Sequence, residues 1–153
     1  MTDSKLLPLA LLYVDGQREV DGATRFQKLV FLAQKETDLE ESFKFRSDKY
    51  GPFSPELHAT LSELQNRDLV EKDVRKNRSG NEKYTYRLTP TGRRVVQKLI
   101  NRDDLSEFEE ILQKGQSIKR EYNNQPLDRV LRYVYSQYPG FTDKSELDEF
   151  KVN

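Results

Sequence analysis

A basic run and a helix-spaced polar set contain the side chains of this chain that could contact a nucleic acid. Four of the five charges from Val74 to Lys83 are positive, and lysine and arginine bind phosphates. The basic run consists of Arg75, Lys76, Arg78 and Lys83. The helix-spaced set lies upstream and comprises five polar residues and one alanine: His58, Ala59, Ser62, Gln65, Asn66 and Arg67. Gln, Asn and Arg are the side chains that read adenine and guanine edges. Glu56 and Glu63 lie in the same segment, and phosphates would repel them.

The periodicity of the sequence predicts the elements that position these two groups. Ser54 and Pro55 are typical of an N-cap and a first helical residue, and they precede an apolar stripe at helical spacing: Leu57, Leu61 and Leu64. This pattern predicts a helix at 54–67. Alternation at Tyr84, Tyr86 and Leu88 predicts the second strand of a hairpin whose turn is polar and contains Gly80. Thr89 and Pro90 begin another helix. Helix, strand, basic turn, strand and helix in this order are the layout of a winged helix with a wing at 75–83.

The remaining pattern predicts a mostly helical α+β protein. Apolar spacing indicates helices near 4–14, 22–36, 105–122 and 126–138. The alternating segment Phe43–Arg46 predicts a short strand that joins the hairpin as its third strand. We therefore expect a winged helix-turn-helix core with a three-stranded antiparallel sheet at 1–100, a C-terminal helical extension at 101–140 and a frayed acidic tail at 141–153. Five further basic residues could hold a nucleic-acid backbone if they lie on the same side: Arg25, Lys28, Lys44, Arg46 and Lys49.

Composition narrows the function classes. The 153 residues include 26 basic and 26 acidic side chains, so no whole-molecule field attracts a polyanion. Without cysteine there is no disulfide framework or cysteine nucleophile, and with a single histidine we expect no metal site and no cofactor. No phosphate-binding glycine loop or nucleophile elbow is present, so we predict no catalysis. No stretch approaches the ~20 apolar residues of a membrane span, which predicts a cytoplasmic protein without a membrane partner.

Several segments together resemble the YwgA-like archaeal and bacterial proteins, which are similar in turn to the Panacea, or SocA-like, antitoxin domain. They lie within Leu6 to Leu147, about nine-tenths of the chain. The matching segments are Gln27-Lys28-Leu29-Val30-Phe31-Leu32-Ala33-Gln34, Phe43-Lys44-Phe45, Tyr50-Gly51-Pro52-Phe53-Ser54-Pro55-Glu56-Leu57, Tyr86-Arg87-Leu88-Thr89-Pro90-Thr91-Gly92 and Tyr133-Val134-Tyr135-Ser136-Gln137-Tyr138-Pro139. The resemblance implies a winged-helix-like fold with added helices, and a role in gene regulation or toxin neutralisation. It supplies no catalytic residue.

Two functions from different classes follow. The first is a transcriptional regulator, a homodimer on double-stranded DNA, with helix 54–67 in the major groove, the wing on the backbone and the C-terminal helices at the dimer interface. The alternative is an antitoxin or adaptor that binds a toxin or another protein through the same scaffold. Single features also have two interpretations. The wing could be a solvated turn, and three tyrosines, Tyr133, Tyr135 and Tyr138, could form a stacking platform for single strands or pack inside.

Overall fold

Six α-helices accompany a three-stranded antiparallel sheet in the computed structural model, which describes residues 3–76, 78–102 and 106–147. The helices are α1 (Leu6–Gln17), α2 (Ala23–Glu36), α3 (Pro55–Asn66), α4 (Pro90–Ile100), α5 (Ser106–Tyr122) and α6 (Leu127–Gln137). The strands are β1 (Val20–Asp21), β2 (Arg46–Asp48), β3 (Gly51–Phe53), β4 (Val70–Lys76) and β5 (Glu82–Leu88). The predicted class, α+β and mostly helical, is confirmed.

Side-chain caps start α3 and α4 at the predicted residues. The Ser54 hydroxyl accepts the Leu57 amide at 3.1 Å, and the Thr89 hydroxyl accepts the Gly92 amide at 2.9 Å. A proline occupies the first turn of each helix, where its missing N–H costs nothing. Leu57, Leu61 and Leu64 of α3 are buried at helical spacing, so one face of α3 packs inward and the opposite face is left to solvent.

The sheet has the strand order β1-β5-β4, and its third strand is not the predicted one. β4 and β5 pair from Val70↔Leu88 out to Lys76↔Glu82, and β1 pairs with β5 through Val20↔Tyr86. The expectation that Phe43–Arg46 joins this sheet is wrong, since β2 pairs with β3 in a separate hairpin. The Gln34 side chain explains why Phe43 is unavailable for a sheet. Its amide bonds both the N–H and the C=O of Phe43, at 3.0 and 2.9 Å.

Helices α5 and α6 belong to the same hydrophobic core as the residues before position 100. Phe108 of α5 and Val130 of α6 are fully buried in one cluster with Leu11 of α1 and Phe26 of α2. The predicted boundary between a 1–100 domain and a helical extension therefore does not separate two cores. Packing around α1, α2 and the sheet continues into the C-terminal helices.

The described part of the predicted tail is packed rather than frayed. A 3₁₀ turn, Pro139–Phe141, follows α6, and Phe141 packs edge-on against Phe31 with 5.1 Å between the ring centroids. Ser145 is buried, and the Glu146 amide donates to the Lys49 carbonyl at 2.8 Å. Backbone hydrogen bonds and aromatic contacts hold residues 141–147 although the segment has few apolar side chains. Residues 148–153 of the predicted tail lie outside the described residues.

Candidate nucleic-acid interface

The outer face of α3 carries the predicted base-reading residues, but two of them are already engaged. His58, Ser62, Asn66 and Arg67 are exposed, and Gln65 is half-buried. The Gln65 amide donates to the Leu61 carbonyl of the preceding turn at 3.2 Å. Arg67 forms an i,i+4 ion pair with Glu63 at 2.9 Å. Direct contacts therefore start from His58, Ser62 and Asn66, while Gln65 and Arg67 would have to exchange a partner within the helix.

The four basic residues of the wing do not share one face. The register places Arg75 opposite Lys83 on one face of the hairpin, and Lys76 opposite Glu82 on the other, because side chains alternate along a strand. Arg78 is exposed in the turn, and its neighbour Asn77 lies outside the described residues. Arg75 lies 3.5 Å from Asp73, and Lys83 lies 3.4 Å from Asp21. Both pairs are on the surface, where an ion pair is worth at most about 1 kcal/mol.

An ion-pair network at the base of the hairpin sets the Arg87 guanidinium among three carboxylates. The guanidinium contacts Glu19 at 3.2 Å, Glu71 at 3.3 Å and Asp73 at 2.8 Å. The hydrogen bond from Arg87 lowers the pKa of Asp73 and raises that of Arg87. Sequence reasoning missed this network because it joins Glu19, the residue before β1, to β4 and β5, and only the strand register brings these side chains together. Within the hairpin, Lys76 and Arg78 near the tip are exposed and lie outside this network.

The opposite face of the hairpin is partly apolar. Lys72 lies over the Tyr84 ring, with 4.2 Å from its Nζ to the ring centroid, and Val74 beside it is 52% exposed. The Tyr84 hydroxyl donates to Glu82 at 2.7 Å. Lys76 is on this same face. This surface combines a cation, an aromatic ring and an aliphatic side chain, so it can contact a sugar–phosphate backbone or the surface of a protein.

Two of the additional basic residues are buried and cannot contact a backbone. Arg25 is 8% exposed and donates to the carbonyls of Tyr122, Asn123 and Gln125, at 3.3, 3.2 and 2.8 Å. It thereby satisfies carbonyls at the C-terminal end of α5. Lys28 is 2% exposed and donates to the Pro52 carbonyl at 2.9 Å. Both expectations were wrong because polar residues of α2 point into the molecule and bind backbone oxygens there.

No family model matches this chain, and no curated protein is similar to it in sequence. The resemblance to YwgA-like proteins therefore stays a prediction. Among the described residues, no helix is long and apolar enough to cross a membrane, and no cluster of His, Asp and Glu could hold a metal ion.

The motifs that suggested the resemblance have structural roles. Gly51 has φ +89°, and a Cβ there would lie 2.9 Å from the Tyr135 ring. The Tyr135 hydroxyl shares a hydrogen bond with Ser145. The turn at 50–53 therefore packs directly on α6. This structural role is enough to account for the glycine and proline in the turn without a binding function.

The tyrosines of α6 do not form a stacking platform. Tyr133 and Tyr138 both donate to the Glu36 carboxylate, which also accepts the Tyr122 hydroxyl at 2.5 Å. Tyr135 is fully buried. Burial raises the pKa of Tyr138 to about 12, with Glu36 as the second cause. Three phenols on one carboxylate tie α2, α5 and the end of α6 together, so the packing interpretation is the correct one.

Proposed function

We propose that this protein is a winged-helix, sequence-specific DNA-binding regulator that acts in the cytoplasm as a homodimer. The observation that carries the proposal is the element order α1-β1-α2-β2-β3-α3-β4-β5, with the β2–β3 hairpin between α2 and α3, and with β1 paired to β5 at the edge opposite β4. In a helix-turn-helix protein of this layout, the helix before the hairpin enters the major groove and the hairpin contacts the adjacent backbone. Here that helix is α3, which ends at Asn66, and β4 begins at Val70.

The exposed side chains of α3 are suited to contacts with bases, and those of the wing to contacts with phosphates. Asn66 can form two hydrogen bonds with an adenine edge, and Ser62 and His58 lie on the same outer face of α3. Lys76 and Arg78 at the wing are exposed and can bind phosphates. Arg75 is 74% exposed at its side chain and can exchange Asp73 for a phosphate at small cost. One such helix reads few bases, which is the reason for proposing a dimer on two half-sites.

Fluorescence anisotropy on a duplex from the gene's own upstream region, compared with a random duplex across a salt series, tests the proposal. We expect tighter binding to the upstream duplex and a log-log salt slope of about −3 to −6, for a few neutralised phosphates per wing. Absence of binding at low salt would rule out the DNA-binding role. Light scattering of the free protein and of the complex gives the oligomeric state.

The triple replacement of Arg75, Lys76 and Arg78 with alanine is expected to weaken binding to both duplexes equally. Each lost phosphate contact removes about 0.9 from the magnitude of the salt slope, so the slope flattens by up to about 2.7 for each wing that contacts the duplex. A control triple with the same loss of two arginines and one lysine is Arg94→Ala, Lys98→Ala and Arg129→Ala. These exposed residues lie on α4 and α6, beyond the base of the hairpin. If the two triple variants changed the affinity and the salt slope equally, the wing would have no specific role in DNA binding.

Replacing Asn66 with alanine is expected to weaken only the specific complex, by about 1–3 kcal/mol for a lost bidentate base contact. Gln65→Ala is expected to have a smaller effect, since its amide already bonds the Leu61 carbonyl. Gln137→Ala, at an exposed position of α6, is the matched control. If Asn66→Ala weakened the random and the specific duplex alike, Asn66 would not read a base.

The alternative function is an antitoxin or adaptor that binds a partner protein. It is favoured by Glu56 and Glu63, because both carboxylates lie on the helix proposed to enter DNA. Glu56 accepts the Lys44 amide at 3.3 Å, and Glu63 engages Arg67 in the ion pair described above. Co-expression with the product of a neighbouring gene, followed by co-purification, distinguishes the two functions. A stable complex that forms without DNA and is broken by the wing triple would support the partner role.

A further inference from the structure

An open cleft of about 280 Å³ lies between the start of α2, the β2–β3 turn and the first turns of α3. Its lining is mostly apolar, with a few polar groups at the walls. The residues that line it are Ala23, Thr24, Gln27, Lys28, Asp48, Lys49, Tyr50, Gly51, Phe53, His58 and Leu61. A concave, mainly apolar site with a small number of convergent polar groups has the character of a small-molecule site.

Lys28 is the unusual residue of this cleft, since it is a cation that is 2% exposed. One of its N–H groups donates to the Pro52 carbonyl at 2.9 Å. An ammonium has three donors, and no other hydrogen bond from this amine is made to the described residues. Burial lowers its pKa to about 7, and the attraction of Asp48 only partly opposes this. The amine is therefore held in a site that lacks a full complement of acceptors.

The charges around the cleft favour an anion over a cation. Lys28 and Lys49 are basic, and Asp48 is the one acidic residue of the lining. The apolar part of the lining includes Phe53 and Leu61, which can contact an aromatic or aliphatic body. A buried cation with free donors is best satisfied by a carboxylate, whose oxygens accept charge-assisted hydrogen bonds.

We propose that this cleft binds a small carboxylic acid with an apolar body, whose carboxylate accepts from Lys28 while the body packs against Phe53 and Leu61. The inference does not depend on DNA binding. His58 belongs to both the cleft lining and the outer side of α3, so an occupant of the cleft would also contact the helix that we propose to enter DNA.

Titration of the full chain with benzoate, followed by amide NMR shifts, tests the proposal, with benzamide as the uncharged probe of the same shape. We expect benzoate to shift the amides of Thr24, Tyr50 and Gly51, and to bind about tenfold more tightly than benzamide, for one charge-assisted hydrogen bond. Hexanoate tests an aliphatic body, and inorganic phosphate tests an anion without an apolar body.

Three variants separate the cleft from nonspecific effects. Lys28→Met removes the charge while keeping an unbranched side chain one atom shorter, and is expected to abolish the preference for benzoate over benzamide. Ala23→Phe fills the cleft from the first turn of α2 without removing a buried polar group, and is expected to abolish binding of all the acids. Lys98→Met, at an exposed site on α4, should change nothing.

Three results would overturn the proposal. The first is equal binding of benzoate and benzamide to the wild type. The second is tighter binding of phosphate than of either organic acid. The third is an absence of shifts at the cleft amides at about 20 mM of every acid, since that concentration would detect even very weak sites.

Discussion

Replacing Gly92 with alanine is expected to destabilise the fold by about 3 kcal/mol or more. A Cβ at this position would lie 2.1 Å from the carbonyl oxygen of Leu69. That oxygen belongs to the backbone and also accepts the Thr89 amide at 3.1 Å, so it cannot turn away as a flexible side chain would. The first turn of α4 would have to move off the base of the hairpin. Urea unfolding followed by circular dichroism measures the loss as a lower midpoint with an unchanged slope.

Gly115 of α5 provides a matched control, because it is also a glycine within a helix. A Cβ there would meet the Leu11 side chain at 3.6 Å, which is an ordinary van der Waals contact. Gly115→Ala is therefore expected to stabilise the protein by about 0.5–1 kcal/mol through helix propensity. A similar loss in both variants would mean that the effect at Gly92 is a general cost of a side chain in a helix, and the close approach of α4 to Leu69 would be refuted.

The helix starts and the β4–β5 hairpin could be predicted because their signals are local. Ser54 and Thr89 cap the helices within three residues of their own positions, and alternation at Tyr84, Tyr86 and Leu88 fixes which side of the strand faces inward. The sequence did not show why Gly92 must be glycine. Its constraint comes from Leu69, a residue on the other side of the hairpin.

Long-range choices could not be predicted from periodicity. β1 contains only Val20 and Asp21 and is too short to produce an alternating pattern, yet Val20 is fully buried in the core. The segment at Phe43 has a clearer alternating pattern, but its backbone is hydrogen-bonded by Gln34. A glutamine within a helix gives no sequence signal for such a hydrogen bond. Arg25 and Lys28 likewise have the composition of a surface site, and only their carbonyl partners show that they are buried.

In the candidate interface, the exposure of the side chains could be predicted from the sequence, but only some of their ion pairs could. The helical spacing of the apolar residues predicted that His58, Ser62 and Asn66 lie on the solvent-exposed face of α3. The Glu63–Arg67 pair follows from i,i+4 spacing and could have been predicted. The Arg87 network could not be predicted, because it depends on which residues of β4, and of the segment that enters β1, flank β5.

Two buried lysines are expected to make the protein more stable as the pH rises from about 7.5 to about 9.5. Lys28 has its pKa lowered to about 7 by burial, and Lys119 has its pKa lowered to about 8, also chiefly by burial. Lys119 is fully buried on α5 and donates to the carbonyls of Val14 and Arg18, at 2.9 and 2.5 Å. In the unfolded chain both amines titrate near 10.4, so across this range the unfolded state binds more protons than the folded state. Raising the pH then favours folding, by up to about 1.4 kcal/mol per pH unit for each lysine.

Urea unfolding at several pH values measures this rise, and single variants assign it. Lys28→Met and Lys119→Met are each expected to remove about half of the slope of unfolding free energy against pH, and the double variant to flatten it. Lys98→Met, at an exposed position, should leave the slope unchanged.

The pH range of this rise ends below about pH 10. The pKa values of Tyr122 and Tyr138 are raised in the folded state, so these tyrosines keep their protons to higher pH in the folded protein than in the unfolded chain. Above about pH 10 the folded state therefore binds more protons, and the free energy of unfolding falls as the pH rises. A wild-type stability that stays constant or falls between about pH 7.5 and 9.5 would show that these amines keep their protons when buried.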